Sequence, residues 1–316
     1  MTGKSPQPPF QATGTLDGDE EPKGIISLIN VADTPSRIVV SADGARLYIS
    51  STRESVMVID TASDAVIHTL EGHGTPLWMA LHPTQPQIYI SYGNRPGNPV
   101  VEVISTVTFD VIETITGFFL INGIALNSSG SRLYVPDKTG ELDVITTASP
   151  QQRAKLRFTV GPDIVAVAPG NARAHLANER ADWFVVHLGT HQLVTSINTG
   201  LVATPSTIAH AIHAARIYIL YPNAGLIYIG DTTTYRQSEI LSRLQHPWDI
   251  AFNSMREFAY VTETEGDRVS IINTGSQSIS GTFEGFNRPR GIAATRDGRT
   301  AYVANSGDNT VARVRI

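Results

Sequence analysis

The stretch "ADGARLYISSTRESVMVIDTASDAVIHTL" (42–70) decides the fold. It opens on an Asp-Gly turn and runs through apolar and aromatic residues to Tyr48. A polar loop follows, then a second apolar run ending in Asp60-Thr61, a turn, and a third run. Short β-patterned runs parted by turn residues, with no 3.6-residue periodicity, describe strands and not helices.

Outward from this stretch the same pattern recurs. The tyrosine returns in "IYIS" (Tyr89), "LYVP" (Tyr134), "IYIL" (Tyr218), "AYVT" (Tyr260) and "AYVA" (Tyr302), and "AHLA" puts His175 in its place. The steps are 41, 45, 41, 43, 42 and 42 residues. A second anchor follows each copy ("VIDT", "VIST", "VITT", "IGDT", "IINT") and a third precedes it ("TPSRIVV", "TPLWMAL", "HPWDIAF", "RPRGIAA"). Each unit therefore carries four short strands, labelled a to d. Four strands per 40–45 residues is the signature of a propeller blade, whose two faces are covered only by its neighbours in the ring.

These anchors resemble the YVTN-family β-propeller repeat over about residues 24–316. The resemblance implies an all-β, seven-bladed β-propeller with four antiparallel strands per blade; it implies a scaffold and names no activity. The fourth copy departs most, since "PGNARAHLANERADW" (169–183) replaces both the Asp-Gly turn and the tyrosine.

The seventh copy ends after strand c, at "TVARVRI" (310–316), while "GIISLINVAD" (24–33) stands before the first blade at the spacing of a d strand. We expect the ring to close by pairing this N-terminal outer strand with the C-terminal blade, which leaves no open blade edge. Residues 1–23, rich in Pro, Gly and acid, read as a disordered tail or linker, and 24–316 as a single propeller.

The composition excludes several function classes. There is no cysteine among 316 residues, so disulfides, thiolate metal sites and cysteine nucleophiles are absent. Lys+Arg 24 against Asp+Glu 29 gives a net charge of −5, which argues against nucleic acid. No apolar run reaches membrane-spanning length, and the N-terminus has no signal-peptide core. The compartment stays open: periplasmic or extracellular if a signal was trimmed, otherwise cytoplasmic. GxSxG, P-loop and GxGxxG motifs do not occur.

In propellers the d–a and b–c loops share the top face. Aligned on the tyrosines, the two residues after each Pro position surround the channel mouth. They are Ser36-Arg37, Leu77-Trp78, Asn122-Gly123, Asp163-Ile164, Ser206-Thr207, Trp248-Asp249 and Arg290-Gly291, with Arg288 close by. Cations and indoles so placed suit a small anion, a carboxylate-bearing peptide or a sugar. The structural alternative, with arginines paired to Asp163 and Asp249 and tryptophans packed on neighbouring blades, ranks first. The long loop "SYGNRPGNP" (91–99), with Arg95, is the candidate specificity loop. His246 is the only histidine near the mouth. Glu263, Glu265 and Asp267 read first as a solvated loop and second as a hard-cation site. Asp43, Asp297, Asp60 and Asp231 read as turn formers.

Three function classes remain. The favoured one is a non-enzymatic binding propeller that presents its top face and mouth to a protein, peptide or small anionic ligand, as a monomer without cofactor or metal. The second is a lactonase- or lyase-like enzyme at the mouth, and the third a structural domain of a larger surface protein.

Overall fold

The computed structural model describes residues 24–93, 99–211 and 214–316. The expected tail at 1–23 and Arg95 in its loop lie outside the described residues. Seven four-stranded antiparallel sheets form the ring, six of them in sequence order from the inner strand outwards and the seventh closed on its outer edge by the first strand of the chain. The first blade shows the plan: Pro35–Val40, Arg46–Ser51, Ser55–Asp60 and Ala65–Glu71 are its strands a to d. In the seventh, Pro289–Ala294, Thr300–Asn305 and Thr310–Arg315 are completed by Gly24–Asn30. That closing strand pairs antiparallel with Thr310–Arg315, and Val31 N–H extends the ladder to the Asn309 carbonyl at 2.9 Å.

Burial follows position in the blade. Strands b and c are buried on both faces, because each lies between two neighbouring sheets, and so read as almost continuous apolar runs. Strands d are mostly exposed. Between blades one and two the core gathers Tyr48, Val56 and Val58 from one side and Ile88, Ile90 and Val100 from the other. Between seven and one it gathers Tyr302 and Val311 with Leu47, Met57 and the closing strand's Ile29. No blade has a core of its own, so stability resides in the interfaces.

The Asp-Gly turns are structural as expected. Gly44 and Gly298 adopt positive φ, +73° and +65°. Asp43 accepts the Ala45 N–H at 3.0 Å, and Asp297 the Arg299 N–H at 3.1 Å. Asp60 and Asp231 accept from the N–H groups of Ser63 and Thr233. No helix of the described residues is long and apolar enough to cross a membrane.

The fourth copy's departure has a packing reason. His175 stands where the other blades have tyrosine. Trp183, at the register of Val56, Val101 and Val311, donates its Nε1–H to His175 Nδ1 at 2.9 Å. The indole reaches blade five, where Gly230 takes a position held by Ile59 in blade one and Ile272 in blade six. A Cβ on Gly230 would lie 2.5 Å from Trp183 Cζ3. His210 of blade five, at an otherwise apolar register position (Val40, Leu81, Phe252), meets His175 edge-on at 4.6 Å. Burial drives both imidazoles neutral, His175 down to about 3 and His210 to about 4.

Candidate functional site

In blades one, two, six and seven the residue pairs at the channel mouth sit on a break in strand register. The breaks fall between Pro35 and Arg37, Pro76 and Trp78, Pro247 and Ile250, and Pro289 and Ile292. Two residues of the inner strand face one of strand b, a β-bulge, which turns a side chain away from the sheet towards the mouth. A hydroxyl two residues past the tyrosine secures three of them. Ser50, Ser91 and Thr262 accept the N–H groups of Arg37, Trp78 and Asp249 at 3.1, 3.0 and 3.1 Å. Ser91 also donates to the Asn122 carbonyl of the next blade at 2.8 Å, and Thr262 likewise to that of Arg290. In blade seven the bulge carries Gly291, where a Cβ would meet the Ser36 carbonyl oxygen at 2.6 Å and Arg37 Cα at 2.7 Å. Blades three, four and five differ: their inner strands are only Ala125–Leu126, Ile164–Val167 and Thr207–His210.

Arg37 crosses the channel. From blade one its Nη2 donates to the Ser206 carbonyl of blade five at 2.8 Å, and its Nη1 to Thr207 Oγ1 at 3.3 Å. The guanidinium lies 3.6 Å over the Trp78 ring and 4.0 Å from Asp249 Oδ2, a pair only 11% and 13% exposed. Burial pulls the guanidinium down to about 10, Asp249 opposing and Arg290 adding to the fall. Asp249 is pushed up by burial against the pull of Arg37; it accepts from Thr207 Oγ1 at 3.1 Å and from the Ile292 N–H at 3.3 Å.

Beside Arg37 lies a cavity of about 350 Å³, lined by Arg37, Asn122, Lys138, Asp163, His246 and Trp248 among others. Asp163 is 2% exposed; its Oδ2 meets Lys138 Nζ at 3.2 Å, and burial raises its pKa against the pull of that ammonium. The Asn122 side chain also supports the ionised carboxylate, yet Oδ1 is buried with no partner at hydrogen-bond distance among the described residues, as are Trp248 Nε1, His246 Nδ1 and Arg290 Nε. The His246 ring stacks on Trp248 at 5.7 Å, and Arg290 lies 4.8 Å from the Trp248 ring centroid. His246 holds a left-handed backbone, φ +61°, which a residue with a side chain adopts only when its surroundings enforce it.

The expected residues thus divide. Arg37, Asn122, Asp163 and Trp248 line the cavity. Trp78 lies beneath the Arg37 guanidinium, Asp249 behind it, and Arg290 against Trp248. Arg288 is exposed, and its peptide N–H donates to Asp267 Oδ1 at 2.7 Å. Sequence reasoning missed Lys138, which stands in the b–c turn "PDKTG" (136–140) of blade three, and the clamping hydroxyls, whose signal is a Ser or Thr two residues after the tyrosine. The acidic loop of blade six needs correction on Glu263. That carboxylate is fully buried, accepts the Gln245 N–H at 2.6 Å and Arg268 Nε and Nη2 at 3.1 and 3.0 Å, and is bonded by Ser270. It pins the loop before blade six and is neither solvated nor open to a cation. Among the described residues no three His, Asp or Glu side chains are grouped as metal ligands.

No family model matches the chain. Over 184 residues, 58% of its length, it is 26% identical to the uncharacterized protein YncE of Salmonella typhimurium, and equally to that of Salmonella typhi. It spans about 40% of the length of these relatives. Among solved structures it superposes on Kuenenia stuttgartiensis hydrazine synthase with a TM-score of 0.79 at 15% identity, covering 96% of this chain and 99% of that one. On the Cps50 (Swd1) β-propeller domain of Myceliophteria thermophila the TM-score is 0.79 at 9% identity, covering 93% and 100%. The chain is a seven-bladed β-propeller with weak sequence similarity to the uncharacterized protein YncE.

Proposed function

We propose that this is a binding propeller of the YVTN kind, and that the cavity beside Arg37 is where it takes a small polar ligand. The observation that carries this reading is a cavity of about 350 Å³ lined by Asp163, Trp248 and His246, whose buried Oδ1, Nε1 and Nδ1 atoms lie without a hydrogen-bond partner among the described residues. A buried, unpaired polar atom costs roughly 1–3 kcal/mol, and a ligand with matching groups recovers it. The cavity has the size of a small-molecule site, at the lower end of the range of about 300–1,000 Å³. Both mouth carboxylates are held by cations, Asp163 by Lys138 and Asp249 by Arg37, which favours recognition over acid–base chemistry. A protein or peptide partner is the second reading, resting on Phe119, Leu120 and Val202, which are 66%, 57% and 97% exposed on two d–a loops of the top face.

The test is a thermal-shift screen of the purified chain against small acids, amino acids, sugars and short peptides. A ligand at one hundred times its Kd adds about 2.7 kcal/mol to stability, a rise of several degrees. Binding that Lys138→Ala and Trp248→Phe both weaken supports the reading. Binding that neither variant alters places the ligand elsewhere and overturns it.

A further inference from the structure

Resting on that reading, we propose that the ligand is a small monocarboxylate which also carries a hydrogen-bond donor, a hydroxyl or an ammonium, beside its carboxylate. Charge and the unsatisfied atoms each set one requirement on the ligand. Arg37, Lys138, Arg288 and Arg290 bring four cations to the mouth region, against three carboxylates: Asp163, Asp249, and Glu179, which acts on Asp163. The cations act on one another: Arg290 lowers the pKa of Arg37, and Arg288 that of Arg290 after burial has done so. An anion in the cavity relieves this repulsion and leaves the two ion pairs intact.

The remaining atoms set the second requirement. Trp248 Nε1 can only donate, so the ligand must present an acceptor to blade six, which a carboxylate supplies. His246 Nδ1, in the ring stacked on that indole, can add a second bond there. Asp163 can only accept while it is ionised; Lys138 and Asn122 support the carboxylate, but its Oδ1 has no donor at hydrogen-bond distance among the described residues, so the ligand must present one to blade four. A neutral polyol meets the second demand without the first, and a plain fatty acid the first without the second. A hydroxy acid or an amino acid meets both. Asn122, Ser36 and Thr75 line the same cavity with further polar groups.

Four six-carbon probes of nearly equal size test this: 2-hydroxyhexanoate, norleucine, hexanoate and 1,2-hexanediol, titrated calorimetrically into the full chain. The proposal predicts that 2-hydroxyhexanoate, norleucine or both bind about tenfold or more tighter than hexanoate and hexanediol, one buried charge-assisted hydrogen bond being worth about that factor. The stronger of the two tells hydroxyl from ammonium. In Asp163→Asn the preference over hexanoate should fall to about twofold or less. Hexanediol binding as well as the acids, with Trp248 perturbed, overturns the ligand class and leaves the mouth as the site. Equal affinity for hexanoate and its 2-substituted forms overturns the donor requirement. No binding by any probe, together with a thermal-shift hit that Trp248→Phe weakens, also overturns the class; with no hit at all, both readings fall.

Discussion

The two arcs of the ring are built differently. Blades six, seven, one and two carry inner strands of six or seven residues broken by a bulge. They bring Trp248, Arg290, Arg37 and Trp78 to the mouth. Blades three, four and five carry inner strands of two to four residues and bring Asn122, Asp163 and Ser206. The long arc brings the arginines and the two mouth indoles, with Asp249 behind them; the short arc brings Asp163 with Lys138, an amide and hydroxyls. Arg37 ties them together by reaching from blade one to blade five. The core of the short arc is also the irregular one, since the His175, Trp183, Gly230 and His210 exchanges all lie between blades four and five. One repeat thus serves two purposes: where it is kept intact it presents bulged side chains, and where it drifts the packing is rebuilt around a tryptophan.

The largest expected effect breaks the long arc at its closure. Deleting residues 24–32 removes the strand paired to Thr310–Arg315 together with Ile29 and Val31 of the seven–one core. We expect loss of cooperative unfolding by circular dichroism and self-association through the bared edge. Next comes the packing exchange in the short arc. Gly230→Ile alone should cost about 3 kcal/mol by overpacking against Trp183. Trp183→Val alone should cost about 3 kcal/mol or more by leaving a cavity. The double variant should recover about 2 kcal/mol relative to their sum in urea denaturation. Additive costs would show that the two positions did not adapt to each other.

Acid separates the arcs next. His175 and His210 have folded pKa values lowered from 6.5 to about 3 and about 4, so the unfolded chain binds more protons in that window. Their contribution is complete above about pH 6.5 and is lost as the pH falls towards 4, on the order of 3 kcal/mol for each. His210→Val, which installs the side chain found at Val40 and Val167, should flatten that part of the stability profile. An unchanged slope would show that these histidines are not what acid attacks. The smallest effect tests the bulge clamps. Thr262→Val removes its bonds to the Asp249 N–H and the Arg290 carbonyl and should cost about 1–2 kcal/mol. It should weaken ligand binding as well, by loosening Trp248.

The fold was legible because seven copies of one tyrosine-anchored pattern keep a common phase, and the closing strand because its distance to Pro35 repeats that of blade one's strand d to Pro76. The membership of the mouth was legible from the same phase, since the residue pairs after each Pro position include those that the bulges expose. What each side chain does there was not. Whether Arg37 stays in its own blade or crosses the channel depends on inner-strand lengths in blades three to five, which local pattern does not encode. Lys138 sits in a turn whose neighbour Asp163 is 25 positions away, and only the ring brings them together. Glu263 looked solvated because its loop is acidic; its partners Gln245 and Ser270 come from a different turn and strand.

The most direct test of the central claim uses the three tryptophans as reporters. In an indole ¹⁵N–¹H spectrum Trp183 Nε1 is bonded to His175 in the short arc's core, while Trp248 lines the cavity and its Nε1 has no partner among the described residues. On titration with the tightest-binding 2-substituted hexanoate, the Trp248 resonance should shift downfield and saturate at one equivalent per chain, while Trp183 stays fixed. Saturable binding that leaves Trp248 in place, or moves Trp183 instead, would contradict the assignment of the mouth as the ligand site.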